Sequence, residues 1–242
     1  VACPTCKSMR IRSVGTGTQK VEEEVRKLFG LARILRADSD TTSTKHGFEE
    51  IYTKFKNHEA DILIGTQMIG KGLDIPKVHL VGVILADTSL HFPDFRASER
   101  TFQLLTQVSG RAGRGERQGE VIIQTYNPDH YAIIASAEHD YKKFYDEEVK
   151  NRASLLYPPF SKIIRLIYSH EDEKTCEKES TRLENLIRET AGKDISVSSS
   201  PSPIPRLHGK YNWLVTLRGL NPANIISQIK LPAGWKVDVD PI

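Results

Sequence analysis

The amino-acid sequence predicts an α/β fold in which a parallel-sheet domain is followed by a smaller α+β domain. Strand-like and helix-like segments alternate as far as Tyr126, an order typical of parallel strands joined by helices. Two strand segments are almost wholly apolar, which is typical of strands that helices cover on both faces. The prolines Pro158 and Pro159 then interrupt the pattern, because a proline pair cannot continue a helix, and a second series of elements begins.

The elements of the first domain follow from their periodicity. A helix is predicted over residues 18–29, with Thr18 as its N-cap and Gly30 as its stop. The next segments are predicted to be a strand (ARILRAD), a helix (GFEEIYTKFKN), two strands (DILIGT and LVGVILAD), a helix (SERTFQLLTQV) and a strand (EVIIQTY). One helical stretch is predicted from about His130 to Ala153. A parallel sheet covered on both faces is therefore expected.

The second domain is predicted to have the order β-α-β-β-α-β. Its segments are KIIRLIYS, EKTCEKESTRLENLIRET, ISVSS, YNWLVTLRG, PANIISQI and KVDVD. This order is typical of a compact antiparallel sheet with two helices on one face. The stretch SSSPSPIPRLHGK is rich in serine, proline and basic residues, so it is predicted to be an exposed loop.

Composition excludes several classes of protein. Of 242 residues, 38% are hydrophobic and 27% charged, which is the balance of a folded chain. The 34 basic and 31 acidic residues give a net charge of +3, too small to indicate nucleic-acid binding without local clustering. No segment resembles a membrane span or a targeting signal, so a cytoplasmic location is expected. Cys3 and Cys6 form a CxxC pair that indicates metal or redox chemistry, whereas Cys176 is expected to be inert.

The segment QVSGRAGRG carries the strongest chemical pattern. Arg111 and Arg114 lie three residues apart and would share a face if the preceding helix continued through them. The intervening glycines allow close approach to a neighbouring surface, and guanidinium groups offer a planar fork of donors to phosphate oxygens. Taken alone, the segment is equally compatible with a solvated basic loop.

A second polar segment, GTQMIGKGLDIPKV, directly follows the predicted strand DILI. Ligands of parallel α/β sheets bind at the carboxyl ends of strands, which is where its first residues lie. Its polar groups could contact a phosphate or orient a neighbouring donor. The alternative is an ordinary strand-to-helix connection. A phosphate site is favoured because this segment and QVSGRAGRG occur together in this order.

These two segments resemble motifs V and VI of superfamily 2 helicases. The stretches GTGTQKVEEEV, RILRADSDTT, LADTSLHFPDFRASERTFQLLTQVSGRAGR, YPPF and PIPRLHGKYNW extend the resemblance, over nearly the whole chain, to the PriA family of bacterial replication-restart DNA helicases. The resemblance implies the end of a cysteine-rich zinc-binding insertion (residues 1–9), a second RecA-like helicase lobe (10–153) and a C-terminal α+β domain (154–242).

The resemblance also implies roles for individual residues. Arg111 and Arg114, with Gln107 beside them, would stabilise charge on the γ-phosphate of ATP, which is held with Mg²⁺ mainly by the first lobe. The residues expected to couple the nucleotide to the DNA grip are Lys71, Gly72 and Asp74, and those expected to contact DNA are Gly65, Thr66, Gln67 and Thr18. Cys3 and Cys6 would be the last of several pairs that bind two Zn²⁺ ions, the others lying before Val1. Expected partners are DNA, single-stranded-DNA-binding protein and other primosome proteins.

Two features of the sequence leave alternatives open. Arg206, His208, Lys210, Tyr211 and Trp213 form a basic and aromatic cluster that suits DNA binding. The same cluster is compatible with a core tryptophan beside solvated cations. The pair Asp87 and His91 could suggest acid–base chemistry but is interpreted as part of a cleft or of the structure.

The segments that cradle ATP in such motors are not found in the sequence, which has no GxxxxGK[ST] motif and no apolar strand ending in paired acids. The chain alone is therefore predicted not to hydrolyse ATP. Two hypotheses follow: a motor fragment moving 3′ to 5′ within a larger protein, or a non-catalytic adaptor that binds DNA or protein. The arginine pair favours the motor, because an adaptor has no use for phosphate clamps.

Overall fold

The computed structural model describes residues 17–38, 40–42, 47–70, 78–110, 112, 119–192 and 194–241. These residues form two compact units, which divide between Phe144 and Tyr145. Within the described ranges, no helix is long and apolar enough to cross a membrane. The domain limits expected from the sequence, 10–153 and 154–242, stay a prediction.

The first unit alternates helices and short strands. In chain order the elements are α1 (Thr18–Leu28), β1 (Ile34–Ala37), α2 (Gly47–Lys56), β2 (Ile62–Gly65), α3 (Gln67–Gly70), β3 (Leu80–Val83), α4 (Asp87–Leu90), α5 (Ala97–Ser109), β4 (Glu120–Ile123) and α6 (Tyr131–Ala137), followed by α7 (Tyr141–Ser154), which runs into the second unit. The four-residue helices α3 and α4 were not predicted, because so few residues carry no periodicity.

Parallel pairing is confirmed, although the described strands form two separate pairs rather than one sheet. Strand β1 pairs with β2, so that Ala37 lies beside Gly65, and β3 pairs with β4. Both faces of the sheet were expected to be covered. Among the described residues, β3 and β4 alternate between exposed and half-buried positions, and the half-buried Val83 and Ile123 pack against α5 and α6.

The core of the first unit is built around α5. Phe102 stacks on Phe144 with ring centroids 4.3 Å apart, and Leu105 packs with Ala86 and Ile133 in a neighbouring cluster. Full burial of side chains of this size contributes about 1.5–3 kcal/mol each. These contacts hold helix α5 against β3 and β4. They thereby fix the position of its C-terminal residue, Ser109, relative to the two strands.

The single helix predicted from His130 to Ala153 is wrong, because α6 and α7 are separated by residues 138–140. His139 has a φ of 54°, which lies outside the helical range. The Asp140 carboxylate accepts a hydrogen bond from the Lys143 N–H at 2.9 Å and so begins a new helix. A local cap therefore overrides the continuous helical pattern of the sequence.

The second unit contains one antiparallel sheet. Its elements are β5 (Lys162–His170), α8 (Glu173–Thr190), β6 (Ile195–Leu207), β7 (Lys210–Gly219), α9 (Pro222–Gln228) and β8 (Trp235–Val239), in the order that the sequence predicts. The strands lie in the order β6-β7-β5-β8, and every pairing is antiparallel. Residues of α8, α9, β5, β6 and β7 share one core: Ile164, Leu166, Leu183, Ile187, Val197, Val215, Leu217 and Ile225.

The serine- and proline-rich segment predicted to be a loop is exposed but belongs to β6. This 13-residue strand lies at the edge of the sheet, where prolines that cannot donate a backbone hydrogen bond are tolerated. The pairing with β7 shifts between Pro201 and Arg206, which marks a bulge. The turn of this hairpin is formed by His208 and Gly209, both with positive φ.

Candidate nucleotide and nucleic-acid site

The carboxyl ends of β1 and β2 lie side by side and bring three polar residues to one edge. Because Ala37 pairs with Gly65, the residues that follow them, Asp38 and Thr66, leave the sheet at the same edge. The Thr18 hydroxyl donates a hydrogen bond of 2.5 Å to the Asp38 Oδ2 atom. Thr18 was predicted to cap α1, but the N-cap is Gly17, which supplies no side-chain hydrogen bond. The hydroxyl is therefore used to tie the helix to β1.

Asp38 is the centre of this edge, and the sequence interpretation did not single it out. Its Oδ1 atom accepts hydrogen bonds from the N–H groups of Asp40 and Thr41, at 3.1 and 3.0 Å, and from the Thr41 hydroxyl. The Arg36 Nε atom lies 3.1 Å from Oδ2 and 3.6 Å from Glu22. The hydrogen bond from Thr18 is the main cause of a pKa held below the ordinary value of 3.8, and the bonds from Thr41 act in the same direction.

The predicted contact residues of β2 and α3 have different surroundings. Gly65 is packed so closely that an added Cβ would overlap the Ala37 carbonyl and the Ile69 side chain. This glycine therefore permits close packing of strand and helix. Thr66 and Gln67 are exposed, and the Gln67 Nε2 atom donates a long hydrogen bond of 3.4 Å to Ser89 of α4. Thr66 and Gln67 are thus the accessible polar groups of this edge.

Asp87 links the carboxyl ends of β3 and β4 through hydrogen bonds. This buried carboxylate accepts hydrogen bonds from the Tyr126 N–H at 2.9 Å and from the Asn127 amide at 2.6 Å. Burial, the largest influence, acts to raise the pKa of Asp87, but these hydrogen bonds together hold it below its ordinary value. His91 lies 3.4 Å from the same Asn127 amide. These contacts support the interpretation of Asp87 as a structural residue.

The segment that resembles motif VI begins on the last turn of helix α5, which contains its residues as far as Ser109. Gln107 is exposed on the last turn, and the helix ends at Ser109 with Gly110 as its C-cap. Arg111 and Arg114 lie outside the described residues, so their shared face stays a prediction. At the other end of α5, Asp94 forms ion pairs with Arg96 and Arg100 at 3.3 and 3.6 Å.

The other predicted site residues outside the described ranges are Cys3, Cys6, Lys71, Gly72 and Asp74. Their roles stay predictions. Among the residues that the structure describes, no group of three or more histidine, cysteine, aspartate or glutamate side chains could hold a metal ion. Cys176 is buried, and burial raises the pKa of its thiol, as an inert cysteine requires.

The predicted contact residues of the second unit lie on the β6–β7 hairpin. Arg206 and Lys210 are both exposed, and the Arg206 guanidinium lies 5.2 Å from the centre of the Tyr211 ring. Trp213 is half-buried within β7 and faces the same side of the sheet as Val215. The structure therefore supports the structural interpretation of Trp213 while leaving the two cations accessible.

Comparisons with known proteins agree with this arrangement. Residues 7–116 match the model of the helicase conserved C-terminal domain, which includes the edge of β1 and β2 but ends before β4. The chain is 48% identical over 217 residues to the replication restart protein PriA of Bacillus subtilis, covering 89% of this chain and 27% of that protein. It is 40% identical over 248 residues to PriA of Synechocystis sp., covering 99% of this chain and 30% of that protein.

The fold and the matched domain thus define a helicase C-terminal region. PriA of Treponema pallidum adds a 36% identity over 252 residues, which covers all of this chain and 38% of that protein. The chain belongs to the PriA family and represents a C-terminal region of it. It spans about a third of the length of these relatives.

Proposed function

We propose that the chain is the C-terminal portion of an ATP-dependent 3′-to-5′ DNA helicase that recognises stalled or repaired replication forks and initiates primosome assembly. The observation that carries the proposal is the shared edge of β1 and β2, where Thr18 is bonded to Asp38 and Thr66 leaves the neighbouring strand, inside the segment that matches the helicase domain. Parallel pairing in the first unit supports the finer description of this segment as a second RecA-like lobe.

In this proposal the edge of β1 and β2 contacts a DNA strand. Hydroxyl groups and the N–H groups at the start of a helix suit phosphate oxygens, and Gly17 leaves those N–H groups without a side-chain cap. The Asp38 network ties Thr18 and the start of α1 to the end of β1, and the pairing of β1 with β2 places Thr66 at the same edge. Lys71, Gly72 and Asp74 would connect this edge to the interlobe cleft.

ATP and Mg²⁺, bound mainly by the first lobe, would supply the phosphoryl chemistry of the motor. Arg111 and Arg114, with Gln107 nearby, would place positive charge beside the γ-phosphate. Cys3 and Cys6 would contribute two thiolates to zinc sites completed by other cysteines, since structural zinc needs four donors. DNA, single-stranded-DNA-binding protein and primosome proteins are the proposed partners, in the cytoplasm and at the nucleoid.

The proposal is tested by DNA-stimulated ATPase activity in the full-length protein. Arg114→Ala should lower turnover by about a hundredfold or more while nucleotide binding is retained, because an arginine finger acts mainly on the transition state. Arg182→Ala is the matched control, since that guanidinium lies on α8 and pairs with Glu179. Unchanged turnover in Arg114→Ala would contradict the role and favour the adaptor hypothesis.

The chain by itself should show no ATPase activity, because the segments that present the phosphate are absent from its sequence. The measurement is phosphate release by the purified chain with and without single-stranded DNA. Turnover that co-purifies with the chain and survives a second purification would contradict the prediction.

A further inference from the structure

Helix α4 places the hydroxyl group of Ser89 beside the exposed side chain of Gln67. Gln67 is the first residue of α3 and directly follows Thr66, at the carboxyl end of β2. Its Nε2 atom donates a hydrogen bond of 3.4 Å to the Ser89 Oγ atom, although 22 residues separate the two in the chain. A side-chain bond thus joins the edge of β1 and β2 to the connection that follows β3.

Ser89 lies on a helix that is anchored on both sides of it. Asp87, the first residue of α4, accepts hydrogen bonds of 2.9 and 2.6 Å from two residues just beyond β4. Leu90, the last residue of α4, packs against the two core clusters that contain residues of α5. These contacts hold the hydroxyl group of Ser89 in a fixed position relative to β4 and α5.

The side chain of Gln67 is exposed and has several rotatable bonds. A ligand that contacts such a side chain must offset the conformational freedom that the side chain loses on binding. A hydrogen bond to a fixed partner, formed before the ligand arrives, lowers this cost. Because the bond to Ser89 is long at 3.4 Å, its expected effect is moderate rather than large.

The planar amide group of Gln67 keeps a donor for a ligand. Its Nε2 atom carries two N–H groups, of which Ser89 accepts one. Since the amide is planar, the bond to Ser89 also fixes the direction of the second N–H group. Amide N–H groups of glutamine are among the donors that contact the phosphate oxygens of DNA. The bond therefore orients a donor suited to phosphate.

We propose that Ser89 is a positioning residue, which holds the Gln67 carboxamide in the orientation that contacts a phosphate of the bound DNA strand. Ser89 acts through Gln67 and does not itself contact the DNA. The inference rests on the proposed function, in which the edge of β1 and β2 contacts a DNA strand. It adds to that edge a residue of α4, which lies outside the segment GTQMIGKGLDIPKV.

The test is the DNA-stimulated ATPase activity of the full-length protein, titrated with a single-stranded oligonucleotide. Ser89→Ala should raise the DNA concentration for half-maximal stimulation about threefold to tenfold, because Gln67 is no longer ordered in advance. Turnover at saturating DNA should stay within about twofold of the wild-type value, since the contact serves DNA binding. Ser89→Thr, which keeps a hydroxyl group, should behave like the wild type. Thr88→Ala is the matched control, because it removes an exposed hydroxyl group from the same helix.

A double-mutant cycle separates positioning from direct contact. Gln67→Ala should raise the half-maximal DNA concentration at least as much as Ser89→Ala does. Adding Ser89→Ala to Gln67→Ala should have no further effect, because Ser89 then has no amide to hold. Additive losses would show that Ser89 contacts the DNA by itself, and they would overturn the positioning role.

The remaining outcomes separate this inference from the proposed function. If DNA stimulates the wild type and Ser89→Ala needs no more DNA than Thr88→Ala, the inference is refuted while the proposed function stands. A loss of saturating turnover at an unchanged half-maximal DNA concentration would also refute it. An unchanged half-maximal concentration in Gln67→Ala, at an exposed position outside α4, refutes it even where Ser89→Ala does not fold. If DNA does not stimulate the wild-type protein, the proposed function itself fails.

Discussion

Asp38 is the residue that joins α1 to β1, although 20 residues separate it from Thr18 in the chain. Its carboxylate receives hydrogen bonds from two hydroxyl groups and two backbone N–H groups and forms an ion pair with Arg36. A carboxylate with this many donors favours its charged form, which is why the pKa of Asp38 lies below its ordinary value. The arrangement of the proposed DNA edge should therefore depend on the ionisation of one side chain.

Replacing Asp38 with asparagine should lower the free energy of unfolding by about 1–2 kcal/mol at pH 7, because an amide cannot accept all of these hydrogen bonds. The folded-state pKa lies below the ordinary 3.8, so the stabilisation is fully present above that pH and is lost as the pH falls through the folded value. Urea unfolding followed by circular dichroism from pH 7 to pH 3 would measure it. If the difference in free energy of unfolding between wild type and variant stayed constant with pH, the lowered pKa of Asp38 would be contradicted.

Gly65 shows how closely the same edge is packed. An added Cβ would meet a backbone carbonyl, that of Ala37, which cannot move aside without disturbing β1. Gly65→Ala should therefore destabilise the first unit by about 1–3 kcal/mol. Gly82→Ala in β3 is the matched control, because no atom lies within 4 Å of its added Cβ. In thermal unfolding, Gly65→Ala should have the lower melting temperature. Equal melting temperatures would show that the edge has room for the added Cβ at Gly65.

The secondary-structure elements were predictable wherever burial imposes a regular pattern. The order of β5, α8, β6, β7, α9 and β8 followed from periodicity, and so did the strand-end position of Thr66. The extension of β6 to Leu207 was missed because its alternating serines and prolines carry no apolar period, and its pairing with β7 is a tertiary effect. Asp38 was missed for a similar reason, since hydrogen bonds between distant residues leave no periodic signal.

The break between α6 and α7 depends on one side chain that sequence periodicity does not reveal. Asp140→Ala removes the acceptor for the Lys143 N–H and should lower the free energy of unfolding by about 1 kcal/mol, the usual contribution of an N-cap. Asp140→Asn, which keeps an acceptor oxygen, should be nearly neutral. Denaturant unfolding of both variants measures the difference. A stabilised Asp140→Ala protein would instead indicate that a continuous helix is the preferred conformation.

Each of the two units has a hydrophobic core of its own, and their spectroscopic signals can be separated. Both tryptophans, Trp213 and Trp235, lie in the second unit, so tryptophan fluorescence follows that unit, whereas circular dichroism follows both. Leu166 and Leu105 are almost completely buried in the second and first cores respectively.

Leu166→Ala should move the fluorescence transition to lower denaturant, at a cost of about 2–5 kcal/mol for a truncated core leucine. Leu105→Ala, the same chemical change in the first core, should move part of the circular dichroism transition and leave the fluorescence midpoint in place. The two variants are compared in guanidinium unfolding with both probes. Equal displacement of the fluorescence midpoint by both would show that the chain unfolds as one cooperative unit, and the cores would then not be independent sources of stability.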